Sequence, residues 1–493
     1  MADAGIVAAG HPVTAEVGAR VLREGGNAID AAVAAMLASW VAEPLLTGPG
    51  AGGYLLVAGP GQAPTLLDFF VAAPGAGAGG RAQARAALMP IDVRFGEVGQ
   101  RFNVGPASCG AYGTPAGIEA AVHRWGTLPL ADLAAPAAEL ARGGVPLSPA
   151  QAYVFEILAA IVLTTPGARE VFAPAGRALR AGEPFRWPQL AETIERLGAD
   201  GAAPFYAGDL GCAVADAVTA GGGLLTREDL AGYAAEPREP ARATYRGREV
   251  VTNPPPSAGG TLLVLALALL DREPPPPSLD AIVGAMRTAQ DARDAAFVKG
   301  LSAPGFLGGF LAGHLGATTH ISVLDADGLA AAVTCTNGEG SGVVVPGTGI
   351  HVNNIMGEED LSPLGFHSAP PGRRMPSMMA PTVVLGEGGV QLVLGSAGSN
   401  RIRSALLQTI VGAVDHGRDA RGAVDAPRVH YEAGVVYAEP GVPVEELRGG
   451  ERVERFGALN LFFGGVQAVE RDPATGALSG AGDPRRGGAA VAA

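Results

Sequence analysis

The 493-residue chain contains one lysine, Lys299, against 34 arginines. That scarcity excludes a phosphate-cradling G-x-x-x-x-G-K-[ST] loop and leaves Schiff-base chemistry only Lys299, which sits in a polar, helical-looking run from Arg287. Cysteine is almost as scarce. Cys109, Cys212 and Cys335 are widely spaced, with no C-x-x-C pair, so neither a disulfide framework nor a cysteine-ligated zinc is indicated. They read as small buried apolar residues. The eight histidines show no i, i+4 pairing beside carboxylates, so no metal or other cofactor is expected. Basic blocks are absent and the net charge is −13, which excludes a nucleic-acid partner, since affinity for a polyanion comes from clustered cations. The longest apolar run, Thr261 to Leu270, is about half of what spans a bilayer. Met1 to Gly5 has neither a basic start nor an apolar stretch leading to a cleavage site. The expectation is a soluble cytoplasmic protein with no membrane partner.

What the chain does have is 48% hydrophobic and 17% charged residues, the balance of a globular protein, with glycine (74) and proline (39) just short of a low-complexity composition. Length suggests about two to four domains. No glycine-serine or charged linker divides the sequence, however, so one compact body is expected. Gly25-Gly26 ends a helix that starts near Val13, and Asn27 can cap the next, an alanine-rich and nearly all-apolar helix reaching Ala42. Gly48 to Gly53 is a glycine-rich turn that enters a strand. A dinucleotide fingerprint instead leaves a strand and opens a helix. Residues 75–100 look irregular, and helical patterns fill much of 115–235. After the turn at Asn253 to Thr261, a buried helix is expected from Leu262 and another over Leu279 to Lys299. Thr318 to Val323 and Ala330 to Thr336 read as a hairpin about Asp325 to Gly328. Thr382 to Leu385 and Val390 to Leu394 form a second, followed by a helix over Arg401 to Asp415. The order suits antiparallel sheets covered by helices.

Three motifs in order carry the chemistry: Gly25-Gly26-Asn27-Ala28-Ile29-Asp30, the triple proline at 254–256, and Thr318-Thr319-His320 with Thr334 to Gly338 in the next strand. Together they resemble the γ-glutamyltransferase (γ-glutamyl transpeptidase) family, over about residues 5–435. The resemblance implies an α+β N-terminal-nucleophile hydrolase with an αββα sandwich. It also implies self-cleavage between Ala317 and Thr318, giving a large chain (1–317) and a small chain (318–493) that stay associated in one body. Threonine's hydroxyl is a poor nucleophile without a base beside it. Cleavage would create an α-amine on the same residue, with an ordinary pKa of about 7.7–8.0, able to take the proton.

The resemblance also implies that Thr336 supports the nucleophile and that Gly398 and Ser399, in Gly395 to Arg401, supply two backbone donors to an oxyanion. Ser399 stands where the family has a second glycine, and serine is less free to adopt positive φ. His320 shares a strand face with Thr318 and reads either as a catalytic or as a packed histidine. The substrate clamp matches less well. The family's carboxylate-binding arginine falls near Gly79, leaving Arg81 as a shifted substitute. Of the serine pair only Ser377 remains, with Met378 beside it. Gly338 replaces an asparagine, with Asn337 adjacent, Ile355 replaces a polar amine ligand, and Glu358 keeps the acidic role. Glu339 reads either as a substitute acceptor or as part of a plain turn.

These features lead to the expectation of a self-processing threonine hydrolase or acyltransferase that attacks an amide of an amino-acid-derived small molecule. Two alternatives stand beside it. One is a carbon–carbon bond hydrolase in specialised metabolism of the lincosamide or pyrrolobenzodiazepine kind. The other is a catalytically silent binding protein of the same fold. Association of the two chains is implied, and homo-oligomerisation is left open.

Overall fold

The computed structural model describes residues 4–78, 87–95, 98–292, 318–362 and 365–493. Arg81, Ala317 and Lys299 lie outside the described residues, as does the end of the helix expected to reach Lys299.

The strands β1 (Gly5–Ala9), β2 (Gly52–Gly59), β3 (Gln62–Phe69), β4 (Glu236–Arg238), β5 (Ala241–Tyr245), β6 (Arg248–Thr252), β7 (Thr319–Asp325), β8 (Ala330–Thr336), β9 (Thr382–Gly386), β10 (Gly389–Ala397), β11 (Gly465–Arg471), β12 (Leu478–Gly482) and β13 (Ala489–Ala492) build two sheets. The first runs β13-β1-β7-β8-β2-β3-β4 and the second β12-β11-β10-β9-β6-β5, antiparallel throughout. Period-two alternation sorts the side chains of the first sheet into two cores. Val7, Ala9, Ile321, Val323, Ala331 and Val333 join the helices α1 (Pro12–Arg23) and α2 (Ala28–Ala42). Ile6, Ala8, Leu324, Ala330 and Ala332 pack instead with Val383, Val393, Leu394 and Val466 of the second sheet. The far face of that sheet is covered by α3 (Ala258–Leu270), α4 (Leu279–Asp291) and α5 (Arg401–Val414). This is the helix–sheet–sheet–helix layering implied by the family resemblance.

The local signals explain the entry to the site. Asn27 caps α2 by accepting from the backbone N–H groups of Ile29 and Asp30, and Asp30 answers from its own carboxylate, a capping box. Every residue of α2 is buried, in keeping with its lack of a polar face.

Three expectations need correction. Within 75–100, Met89–Phe95 and Val98–Val104 form an antiparallel hairpin whose alternation is masked by Pro90 and Gly99. The helix placed from Leu262 begins at Ala258, because Ala258-Gly259-Gly260 lie within its first turn against the chain at Ser377 and Asn253. Cys109 and Cys335 are buried, but Cys212 is partly exposed on the helix Asp209–Ala220.

Candidate active site

Thr318 immediately precedes β7 and is buried. β7 and β8 pair Thr319 with Cys335 and His320 with Thr334, so one further step of the same register sets Thr318 opposite Thr336. The two threonines predicted to cooperate thus end adjacent strands side by side. The Thr336 hydroxyl accepts from the Gly338 N–H at 2.9 Å, which curls the chain directly after β8.

His320 points between the sheets and lines the same cavity as Thr318. Nδ1 is 2.7 Å from the Thr334 hydroxyl and Nε2 is 2.9 Å from the Ser322 hydroxyl. Burial pushes its pKa down to about 3, so the ring is neutral at ordinary pH. Gly395 of β10 packs against the ring so closely that a Cβ there would come within 2.1 Å of it. His320 is hydrogen-bonded within the first sheet and packs its ring against Gly395 of the second.

Thr319 points the other way, toward the helices. Its hydroxyl donates to Glu43 Oε2 at 2.6 Å, and Thr14 donates to Glu43 Oε1 at 3.2 Å. Glu43, directly after α2, is almost fully buried, and desolvation raises its pKa to about 7 against the pull of those two hydroxyls. It lines a cavity of about 50 Å³ together with Thr318, Ala397, Tyr153, Gln467 and Arg486. Sequence reading missed Glu43 altogether. Its one signal was a carboxylate ending an otherwise apolar helix.

On the other side of Thr336, Asn337 is fully buried and neither atom of its amide has a hydrogen-bond partner among the described residues. Its backbone is pinned by the N–H donating to Leu46 O at 2.9 Å. Such an orphaned amide is costly to bury unless a ligand meets it. Gly338 has φ +61°, and a Cβ there would stand 2.0 Å from Asn354 Oδ1 and 2.7 Å from Glu358 Oε1. The space that an asparagine would take at 338 is therefore filled by the amide of Asn354, which accepts from the Glu339 N–H at 2.9 Å and donates to Glu339 Oε2 at 3.1 Å. Asn354 was not singled out from the sequence, although it precedes Ile355, the apolar replacement. Ile355 is buried in the core between the sheets. Asn337, Glu339, Asn354 and Glu358 form one buried polar group next to Thr336.

Ser377 is less involved. Its hydroxyl accepts from the Met379 N–H at 3.0 Å, and its carbonyl accepts from Ala258 N at 2.7 Å at the start of α3. Gly398 and Ser399 form the turn between β10 and α5, at φ +109° and +69°. Ser399 holds the left-handed conformation expected of the glycine it replaces, and its carbonyl accepts from Ile402 N at 2.9 Å to open the helix. The preceding residue, Ala397, lines the same cavity as Thr318.

A sandwich of this construction, with a threonine at the head of a central strand, defines the class of N-terminal-nucleophile hydrolases. The family model for gamma-glutamyltranspeptidase matches residues 14–300 and 310–493. The chain belongs to that family. Among curated relatives it is 33% identical to the acylase ACY 1 proenzyme of Pseudomonas sp. (strain SE83), over 99% of this chain and 93% of that one. It is 31% identical to the glutathione hydrolase proenzyme of Bacillus subtilis (strain 168), over 99% and 91%. Among solved structures, the cephalosporin acylase from Bacillus halodurans superposes with a TM-score of 0.82 at 28% identity, covering 99% of this chain and 96% of that one.

Proposed function

We propose that this chain is a self-processing threonine acylase that hydrolyses an amide bond of an amino-acid-derived small molecule, and that Thr318 is its nucleophile. The observation that carries the reading is the setting of Thr318, at the end of β7 opposite Thr336, next to an orphaned buried amide at Asn337.

In this reading, Thr318 Oγ attacks the preceding carbonyl, the peptide C–N bond breaks to leave an ester and a free α-amine, and water hydrolyses the ester, freeing a small chain of 176 residues, 318–493. The new α-amine then serves as the base for substrate turnover, near its ordinary pKa of about 7.7–8.0. The Thr336 hydroxyl holds the nucleophile. The N–H groups of Gly398 and Ser399 receive the oxyanion, the role of fixed donors aimed at developing charge. Asn337, Glu358 and Asn354 bind the polar part of the acyl half. Ser377 orders the turn beneath it, and its hydroxyl is the remaining candidate contact of the family's serine pair.

The acyl half is not expected to be a free γ-glutamyl group. Met378 stands beside Ser377 and Ile355 faces the core, so two of the polar contacts to a glutamyl head are gone. The names acylase and cephalosporin acylase among the relatives support amide substrates of another kind. Turnover of γ-glutamyl-4-nitroanilide tests this point: a rate at least 100-fold below that of a preferred acyl substrate is expected, and efficient turnover would contradict it. Intact mass of the purified protein tests the nucleophile. Two chains, the smaller beginning at Thr318, are expected for the wild type and one uncut chain for Thr318→Ala.

A further inference from the structure

Three arginines crowd the C-terminal part of the chain, and two of them are paired directly with carboxylates. Arg428 pairs with Asp483 at 2.7 Å, while Arg485 holds Glu439 at 2.5 Å and Asp483 at 3.2 Å. Arg486 is different. Its guanidinium makes one long hydrogen bond, Nη2 to the Leu461 carbonyl at 3.4 Å, and its Nε is buried with no partner among the described residues. No described carboxylate reaches ion-pair distance. Burial, with Arg401 nearby, pushes its pKa down to about 10, which leaves it charged at neutral pH. Glu43 lines the same cavity without reaching ion-pair distance, and together with Asp483 it offsets the Arg486 charge only in part.

The position of this cation, which has no carboxylate in direct contact among the described residues, gives it meaning. Nη2 lies 3.0 Å from where a Cβ on Gly398 would stand, so the guanidinium borders the proposed oxyanion turn. It lines the cavity beside Thr318, and neither Asn337, Glu358 nor Ser377 lines that cavity. The Asn337 group and Arg486 therefore lie apart, the first next to Thr336 and the second in the cavity that Thr318 lines. An amide substrate has two halves. With the acyl half on the Asn337 side, the amine half falls on the Arg486 side. A guanidinium fork matches a planar carboxylate in two parallel hydrogen bonds, that of Arg486 is half-buried, and a cavity of about 50 Å³ admits a group of that size.

We propose that Arg486 is the carboxylate-binding residue of the leaving-group subsite, and that the amides this enzyme hydrolyses carry a carboxylate on their amine half; this rests on the reading of Thr318 as nucleophile. Anion recognition then lies on the amine half of the substrate.

The test is binding of two amine probes to the mature protein, 5-amino-2-nitrobenzoate and the uncharged 4-nitroaniline, by equilibrium dialysis at fixed salt. The wild type should bind the carboxylate probe at least tenfold more tightly. Arg486→Gln should abolish that preference without moving the 4-nitroaniline Kd by more than twofold, and Arg486→Lys should keep part of it. Equal affinities in the wild type, or a preference that survives Arg486→Gln, overturns the proposal. If Arg486→Gln does not fold, Arg486→Lys decides: at least threefold weaker binding of the carboxylate probe alone is expected, and no change overturns it. Intact mass of the same preparations separates the two readings. A split wild type with no preference sinks the subsite alone, whereas an uncut wild type sinks the nucleophile reading.

Discussion

Ser399 holds the left-handed backbone region that the turn before α5 demands, at a cost of roughly 1–2 kcal/mol for a residue with a Cβ. The donor geometry proposed for the oxyanion depends on that conformation. Ser399→Gly should leave kcat within about threefold of the wild type, because glycine takes the same φ without strain. Ser399→Val should lower kcat by roughly 100-fold, about the cost of losing one oxyanion donor, and steady-state kinetics on a common acyl substrate reads both. Glu43 gives a second prediction at this scale. A carboxyl raised to about 7 is favoured in the fold while protonated. Its contribution to stability is complete below about pH 4.5 and is lost as pH rises to about 7, roughly 3 kcal/mol across that window. Thermal unfolding of Thr318→Ala and of Thr318→Ala/Glu43→Gln from pH 4.5 to 8 should show the single variant losing more Tm than the double. Parallel curves would remove Glu43 from the account.

At the scale of elements, the β7–β8 hairpin makes the site, because it alone sets residues 318 and 336 side by side. Its hold on the second sheet runs through the His320 ring packed on the bare backbone of Gly395 and through the Ser322 hydroxyl, which donates to Gln467 O at 3.0 Å. Gly395→Ala should therefore destabilise the protein by about 2 kcal/mol or more, the cost of overpacking a core with no room, and chemical denaturation with an unchanged m-value would register it. The sequence made this hairpin easy to read: two apolar alternating runs flank an Asp-Ala-Asp-Gly turn. Helices α1 and α2 were equally plain, from Gly25-Gly26 and the Asn27 cap. The hairpin at Met89–Val104 was not, because proline and glycine dilute its alternation and its pairing is settled by tertiary contacts.

Across the whole molecule, two facing sheets with helices outside place the ends of β7, β8 and β10 at one edge, where sequence motifs more than 60 residues apart converge. The motif-bearing residues Thr318, Thr336, Gly398 and Ser399 could be named from the chain because their motifs resemble those of the γ-glutamyltransferase family. The groups around them could not. Glu43 belongs to the end of a helix 275 residues away, Asn354 fills the space over Gly338, and Arg486 comes from the C-terminal strand region. Only the three-dimensional meeting of these segments reveals their part. The central claim is that Thr318 cuts the chain before itself and then acts as the nucleophile. Intact mass spectrometry of wild type and Thr318→Ala purified in parallel tests it most directly. The account predicts chains of 317 and 176 residues for the wild type and a single 493-residue chain for the variant; an uncut wild type, or a variant that still splits at residue 318, would contradict it.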